Sequence, residues 1–299
     1  MTDVQLTYDK KPGLAGAMVK ALLMPRKGFK KNIGLPDIRG SWVVAQSDPI
    51  ALKNYHEVLG LTQGEHLPVL YPHVLAGGLH MNMLTHKLFP FGLLGAVHLK
   101  NRITQHTPIK NTQVMDIHSA MGEFRLLPKG LEFDFSTEVT VEGEKVWEEV
   151  STYFMAGKFG GKENPSSETS FELATLENTE DMANWPVPKD RGKKYAKISG
   201  DYNPIHMSAT LAKLFGLKRD IAHGFGIVAE AIHYSGAMAN FENNDLSDKK
   251  IQVDVVFKGP VFLESQAILK QNQAQDKNRF DVYCGDNPKP SICCAVIAL

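Results

Sequence analysis

The segment IAHGFGIVAEAIHY, residues 221–234, decides the fold, because a segment of the same kind, YPHVLAGGLHMNML, occupies residues 71–84. Both are apolar runs rich in Gly and Ala, which is typical of a helix buried in a core. When the two segments are superposed, His73 stands where the later one has His223. A repeat of this kind predicts two halves with the same architecture.

Strand-like segments follow each of these helices. Residues 249–259, KKIQVDVVFKG, alternate apolar and polar side chains and end at a Gly-Pro pair, which predicts a half-buried strand. SQAILKQNQ, RFDVYCG and SICCAVIAL predict three more strands, and LEFDFSTEVTVEGEKVWEEVSTYF in the first half matches the C-terminal hairpin. A helix followed by antiparallel strands in each half predicts an α+β fold, with a central helix cradled by a sheet.

A polar stretch separates the two halves. Residues 161–184 are acidic and rich in Ser, Thr and Asn, which is typical of a linker. The sequence therefore predicts an N-terminal domain over 1–160, this linker, and a C-terminal domain over 185–299.

The composition narrows the class of protein. Lys plus Arg and Asp plus Glu both number 33, so the formal net charge is zero, which argues against a nucleic-acid-binding protein. Three cysteines cannot form a disulfide framework, and this indicates a reducing, cytoplasmic setting. Neither a signal peptide nor a membrane span is predicted. The basic segment over 13–32 is interpreted as packing across the first half; the alternative is a segment that touches a carrier protein, a CoA phosphate or a membrane.

The most polar motif, SGDYNPIH, occupies residues 199–206, just before the second apolar helix. Its Asn-Pro step favours a turn that brings Asp201 and His206 to the same side. A carboxylate and an imidazole that converge on one water form a competent acid/base pair. The Asn203 amide can orient a carboxylate or a water.

Gly224 begins the second apolar helix, directly after His223. The free N–H groups of a helix N-terminus carry partial positive charge, and glycine lets a ligand approach the backbone. The N–H of Gly224 is therefore a candidate donor to a carbonyl oxygen that gains charge. Together, these groups suit proton abstraction or water addition next to a carbonyl.

The first half keeps the frame of this motif but not its polar groups. The segment YHEVLG, ending at residue 60, resembles YAKISG, ending at residue 200. After it, Leu61 replaces Asp201 and Gln63 replaces Asn203, whereas a histidine, His66, is retained. The sequence therefore predicts one active half and one scaffold half, with His66 as a polar remnant.

The motif and its downstream His-Gly pair resemble the hydratase motif of the MaoC-like (R)-specific enoyl-CoA hydratases and 3-hydroxyacyl-thioester dehydratases. The two-half layout resembles the bacterial two-domain, double hot-dog branch of that family. The resemblance implies reversible syn addition of water to a trans-2-enoyl thioester, giving the (R)-3-hydroxyacyl product in fatty-acid metabolism. It implies an acyl-CoA or acyl-carrier-protein thioester as substrate and no metal or redox cofactor.

The resemblance also implies a role for each site residue. Asp201 and His206 would activate the water, and Asn203 would hold the site in shape. Gly224 would bind the thioester oxygen. Ser199, Gly200 and His223 are the candidates for contact with the substrate, and the alternative for His223 is a structural role through a hydrogen bond to the backbone.

The sequence is compatible with several other functions. A hot-dog thioesterase would use a carboxylate on the central helix, for which Glu230 is the only candidate. A third possibility is a subunit that binds acyl thioesters but does not convert them. His73 and His80 share a helical face, but no HExxH motif or cysteine pair supports a metal site, and none is predicted. Both a monomer and a homodimer are compatible with a two-half chain.

Overall fold

The computed structural model describes residues 3–13, 28–29, 34–92, 96–161, 171–238, 250–272 and 278–299. Most of the basic segment over 13–32 therefore lies outside the described residues. The helices are α1 (Pro49–Leu59), α2 (Tyr71–Leu84), α3 (Arg191–Ser199), α4 (Pro204–Met207), α5 (Ala209–Leu214) and α6 (Gly224–Ser235). The strands are β1 (Asp3–Tyr8), β2 (Asp37–Gln46), β3 (Ala96–Gln105), β4 (Val114–Leu127), β5 (Gly130–Val141), β6 (Glu144–Ala156), β7 (Glu180–Val187), β8 (Ile251–Phe257), β9 (Ser265–Gln271), β10 (Arg279–Cys284) and β11 (Ile292–Ala298).

The chain forms two compact units. The first consists of Met1–Ser47, Pro72–Asn101 and Thr112–Phe171, and the second of Asp48–Tyr71, Arg102–Asn111 and Glu172–Leu299. Helix α1, which the sequence places in the first half, is thus part of the second unit. Strand β7 begins inside the stretch 161–184 that resembles a linker. The domain boundaries themselves stay a prediction.

The first unit is a sheet packed on α2. Its strands follow the order β1-β2-β4-β5-β6-β3, with β1 parallel to β2 and the pairs from β2 to β6 antiparallel. Helix α2 is buried along most of its length, as its apolar composition predicts. Met83 and Leu84 at its end pack against the aromatic side chains of β5, Phe133 and Phe135.

The second unit repeats this arrangement around α6. Its strands follow the order β8-β11-β10-β9-β7, and every neighbouring pair is antiparallel. All residues of α6 from Phe225 to Ile232 are buried. The predicted central helix and antiparallel sheet in each half are both observed. None of the described helices is long and apolar enough to cross a membrane.

Helix α1 joins the second unit through its buried face, which includes Tyr55 and Leu59. It packs on α3 and α6, where a side chain added at Gly226 would meet both the Tyr195 ring and Leu59. Helices α1 and α3 each end at a glycine with positive φ, Gly60 at 64° and Gly200 at 75°. Glycine adopts this left-handed conformation without steric cost, so both copies of the repeated frame end in the same way.

A buried polar cluster lies between α2 and the sheet of the first unit. His73 Nδ1 is 2.9 Å from Glu149 Oε2, and His80 Nε2 is 2.8 Å from Thr137 Oγ1. Asn101 Nδ2 donates to Glu149 Oε2 at 3.0 Å. Burial lowers the pKa of His80 to about 4. Burial acts to raise the pKa of Glu149, but His73, then His80 and Asn101, outweigh it and lower that pKa to about 2.

We expect the protein to lose stability as the pH falls below the ordinary pKa of histidine, 6.5. Between this value and about 4, the unfolded chain binds a proton at His80 that the folded chain does not, so the free energy of unfolding falls with falling pH. The difference corresponds to about 3 kcal/mol. Urea unfolding at a series of pH values measures this difference.

Two variants separate His80 from the other titrating groups. His80→Gln removes the titrating ring and keeps a polar group beside Thr137, so its stability should change less steeply with pH than that of the wild type. His118→Gln removes an exposed imidazole of the same unit and should leave the pH dependence as it is. If the free energy of unfolding of His80→Gln and of the wild type changed in parallel with pH, His80 would not be the group responsible for the pH dependence.

Candidate active site

The site begins where α3 ends. After the left-handed turn at Gly200, the backbone N–H of Asp201 donates to Ser199 Oγ at 3.2 Å. The same hydroxyl donates to the carbonyl of Tyr195 at 3.0 Å. Ser199 and Gly200 thus fix the direction of the chain into the motif, and their predicted contact with substrate stays a prediction.

Asn203 builds the turn that the sequence predicts. Its backbone N–H donates to Asp201 Oδ1 at 3.0 Å, and its side-chain oxygen accepts from the N–H of Ile205 at 3.4 Å. The second contact caps α4, whose first residue is Pro204. Asn203 therefore orients the carboxylate through its main chain and positions α4 through its side chain.

His206 is held with one nitrogen directed to the acid. Its Nδ1 is 2.9 Å from the carbonyl oxygen of Ile221. Because a carbonyl only accepts, the proton of the neutral ring is on Nδ1 and Nε2 carries a lone pair. Nε2 lies 3.9 Å from Asp201 Oδ2, too far for a direct hydrogen bond and suited to a water bound by both atoms. The His206 side chain is 10% exposed and that of Asp201 40%, so solvent reaches the pair from the acid side.

His223 contacts both members of this pair. Its ring stacks on that of His206 with centroids 3.7 Å apart. The centroid of the Tyr195 ring lies 4.9 Å from that of the His223 ring. Its Nε2 donates to the backbone carbonyl of Asp201 at 2.9 Å. Burial, followed by the adjacent His206, lowers the pKa of His223, so the ring is neutral. A buried ring with these contacts positions the acid and the base; its predicted contact with substrate stays a prediction.

Gly224 is the first residue of α6, and His223 is its N-cap. The stacking of His223 on His206 therefore brings this helix N-terminus to the side of the dyad. The orphan N–H groups there are suited to a carbonyl oxygen. A Cβ at Gly224 would lie 2.5 Å from the Phe257 ring, so packing against that ring also requires glycine here.

Three contributors to the site were missed by sequence reasoning. Gly192 in α3 lets the helix approach α4 so closely that a Cβ there would lie 2.0 Å from the carbonyl oxygen of His206. Arg191 pairs with Glu230 of α6 and donates to the carbonyl of Val58 in α1. The carbonyl of Ile221 fixes the His206 tautomer. Of these three residues, only Ile221 lies in a motif that the sequence analysis singled out, the IAHG segment.

The corresponding positions of the first half form no second dyad within the described residues. Leu61 replaces the acid, as the alignment of the two frames shows. His66 is exposed and forms an isolated bridge with Lys110, whereas His206 is buried.

Comparison with known proteins identifies the family. Residues 171–291 match the model of the MaoC like domain. The chain is 30% identical over 224 residues to 3-hydroxyacyl-thioester dehydratase X of Mycobacterium tuberculosis. The aligned region covers 74% of this chain and 75% of that protein. The chain belongs to the MaoC-like dehydratase family.

Solved structures support the same conclusion for this MaoC-like chain. The crystal structure of HtdX of Mycobacterium tuberculosis matches with a TM-score of 0.70 and 26% identity, over 87% of this chain and 100% of that one. A second Mycobacterium tuberculosis protein, described as having a double hotdog fold, matches with a TM-score of 0.53 over 100% of this chain and 96% of its own. At 12% identity it shows the fold alone. The predicted double hot-dog fold and the predicted hydro-lyase class are confirmed.

Proposed function

We propose that this MaoC-like hydro-lyase interconverts trans-2-enoyl thioesters and (R)-3-hydroxyacyl thioesters, with Asp201 and His206 activating the water. The observation that carries the proposal is the separation of 3.9 Å between His206 Nε2 and Asp201 Oδ2, with the proton of the imidazole fixed on the far nitrogen. A water in this gap meets one acceptor nitrogen and one carboxylate oxygen at once. The name of the dehydratase from Mycobacterium tuberculosis supports the same class of substrate.

The proposed reaction proceeds as the water oxygen adds to C3 of the enoyl chain. His206 Nε2 accepts one proton of the water, and the Asp201 carboxylate accepts a hydrogen bond from the other. The electron pair of the double bond moves to the thioester oxygen, where the Gly224 N–H donates to the developing enolate. The imidazolium then returns its proton to C2. Because water and imidazole are on one face of the substrate, the addition is syn.

One assay tests this proposal. Incubation with trans-2-enoyl-CoA of short, medium and long chain length, followed by chiral analysis, should give the (R)-3-hydroxyacyl-CoA. The same acyl groups on a carrier protein show which thioester is used. Exclusive formation of the (S) product, or the absence of turnover with every CoA and carrier-protein thioester, would refute the proposal.

The two rival functions have distinct outcomes in that assay. Release of free thiol would support a thioesterase, but Glu230, the carboxylate such an enzyme would use, is 5% exposed and paired with Arg191. An ion-paired, buried carboxylate is unavailable as a base without first losing its partner. Binding of the thioester without turnover would support the non-catalytic subunit.

A further inference from the structure

The first unit contains a cluster of possible metal ligands that takes no part in the proposed reaction. Ligand atoms of His73, His80 and Glu149 all lie within 4.8 Å of one another. His73 Nδ1 is 3.1 Å from Glu149 Oε1, and His80 Nε2 is 3.9 Å from the same oxygen. Two imidazole nitrogens and one carboxylate oxygen can share one ion at about 2.0–2.2 Å if the more distant of them move towards one another by up to about 1 Å.

The three donors are largely shielded from solvent but can still be reached by an ion. The Glu149 side chain is 0% exposed and that of His80 5%, whereas the 16% exposure of His73 provides a route from solvent.

A hydrogen bond orients the carboxylate of the cluster. Asn101 Nδ2 donates to both Glu149 Oε2 and Ser151 Oγ, the latter at 2.7 Å. Metal-binding carboxylates in proteins are usually oriented by polar neighbours of this kind. Thr137 Oγ1 lies 2.8 Å from His80 Nε2, so the ion would take the place of this hydrogen bond.

A separate observation points to a ligand at this place. Asn101 is 0% exposed, and its side-chain oxygen has no hydrogen-bond partner within the described part of the chain. The nitrogen of the same amide donates to Glu149, so the unpaired acceptor belongs to a side chain that contacts the cluster. A buried acceptor without a partner is destabilising, and a cation or its bound water would satisfy it.

We propose that His73, His80 and Glu149 bind one divalent transition-metal ion of the zinc class, with a water or the Asn101 oxygen as a further ligand. Two nitrogen donors and one carboxylate favour zinc over magnesium or calcium, which prefer oxygen alone. The ion would fasten α2 to strand β6 in the half that lacks the catalytic dyad. Sequence reasoning predicted no metal because Glu149 is far along the chain from the two histidines.

Calorimetric titration of the chelator-treated full chain with Zn²⁺ tests the site. One ion per chain should bind, protons should be released, and the melting temperature should rise. His80→Gln and His73→Gln should each weaken binding at least tenfold and abolish the rise in melting temperature. Mg²⁺ should give neither effect.

Two controls localise the ion. The His118→Gln variant, which loses an exposed imidazole of the same unit, should bind Zn²⁺ as the wild type does. His206→Gln should also bind normally, because Asp201, His206 and His223 form the other described cluster of possible ligands. Binding that disappears in His206→Gln and persists in the two α2 variants would assign the ion to the active site and overturn the proposal.

X-ray absorption at the zinc edge of the loaded wild-type protein needs no variant. The first shell should contain two imidazole nitrogens together with oxygen at about 2.0–2.2 Å. A shell of oxygen alone, or no stoichiometric binding at all, overturns the proposal even if the variants fail to fold.

Discussion

Asp201→Asn and His206→Gln should each lower kcat for hydration by about a hundred- to ten-thousand-fold, the range for loss of a general acid or base. The asparagine side chain cannot act as the anion that the imidazolium needs, and glutamine offers no basic nitrogen to the water. Both variants keep the size of the side chain and should unfold close to the wild-type temperature. Initial rates on one enoyl-CoA, with KM measured separately, quantify the loss.

The chain offers a matched control for each substitution. Asp190→Asn changes an exposed aspartate that pairs with Lys194 just before α3. His66→Gln changes the histidine that occupies the position of His206 in the repeated frame of the first half. Both should retain wild-type rates within a few-fold. Turnover that survives Asp201→Asn, or that falls equally in His66→Gln, would contradict the assignment of the dyad.

KM separates chemistry from binding in these variants. Asp201 and His206 contact the water in the proposed reaction, so their loss should affect kcat and kcat/KM to a similar extent and leave KM nearly unchanged. A rise in KM at constant kcat would instead assign the pair to substrate binding.

The fold was predictable from the sequence because its determinants are local and repeated. Two apolar helices, one over 71–84 and one that begins at Gly224, leave few arrangements other than burial against a sheet, and α2 and α6 begin at these positions. The turn from Asp201 to His206 was predictable for the same reason: Asn-Pro restricts the backbone, and the contacts that form the turn span only two residues.

The parts that sequence reasoning missed depend on side chains that are distant along the chain. Glu149 is 76 residues from His73. The guanidinium of Arg191 reaches a carbonyl in α1 that is 133 residues away. Such contacts follow from strand register and helix packing, which a single sequence does not specify. Helix α1 itself has a repeated frame that suggests the first half, yet its buried face packs in the second unit.

Gly192→Ala should be the most damaging small substitution in the second unit. In an exposed helix this change stabilises a protein by up to about 1 kcal/mol, since alanine has the higher helix propensity. Here the added methyl would lie 2.0 Å from the carbonyl oxygen of His206, a backbone atom that cannot rotate away. We expect a loss of about 1–3 kcal/mol of stability, as for other overpacked sites. Thermal and urea unfolding measure this change.

The same methyl should also reduce activity, because the atom it displaces belongs to the catalytic base. Either α3 or α4 must move, and a displacement of about 1 Å at His206 can cost roughly a hundredfold in rate. Gly64→Ala is the matched control, since no atom lies within 4 Å of its added methyl and its φ is not in the left-handed range. Unlike Asp201→Asn, Gly192→Ala should lower stability and kcat together. If Gly192→Ala matched Gly64→Ala in both measurements, the close approach of α3 to His206 would not be what positions the base.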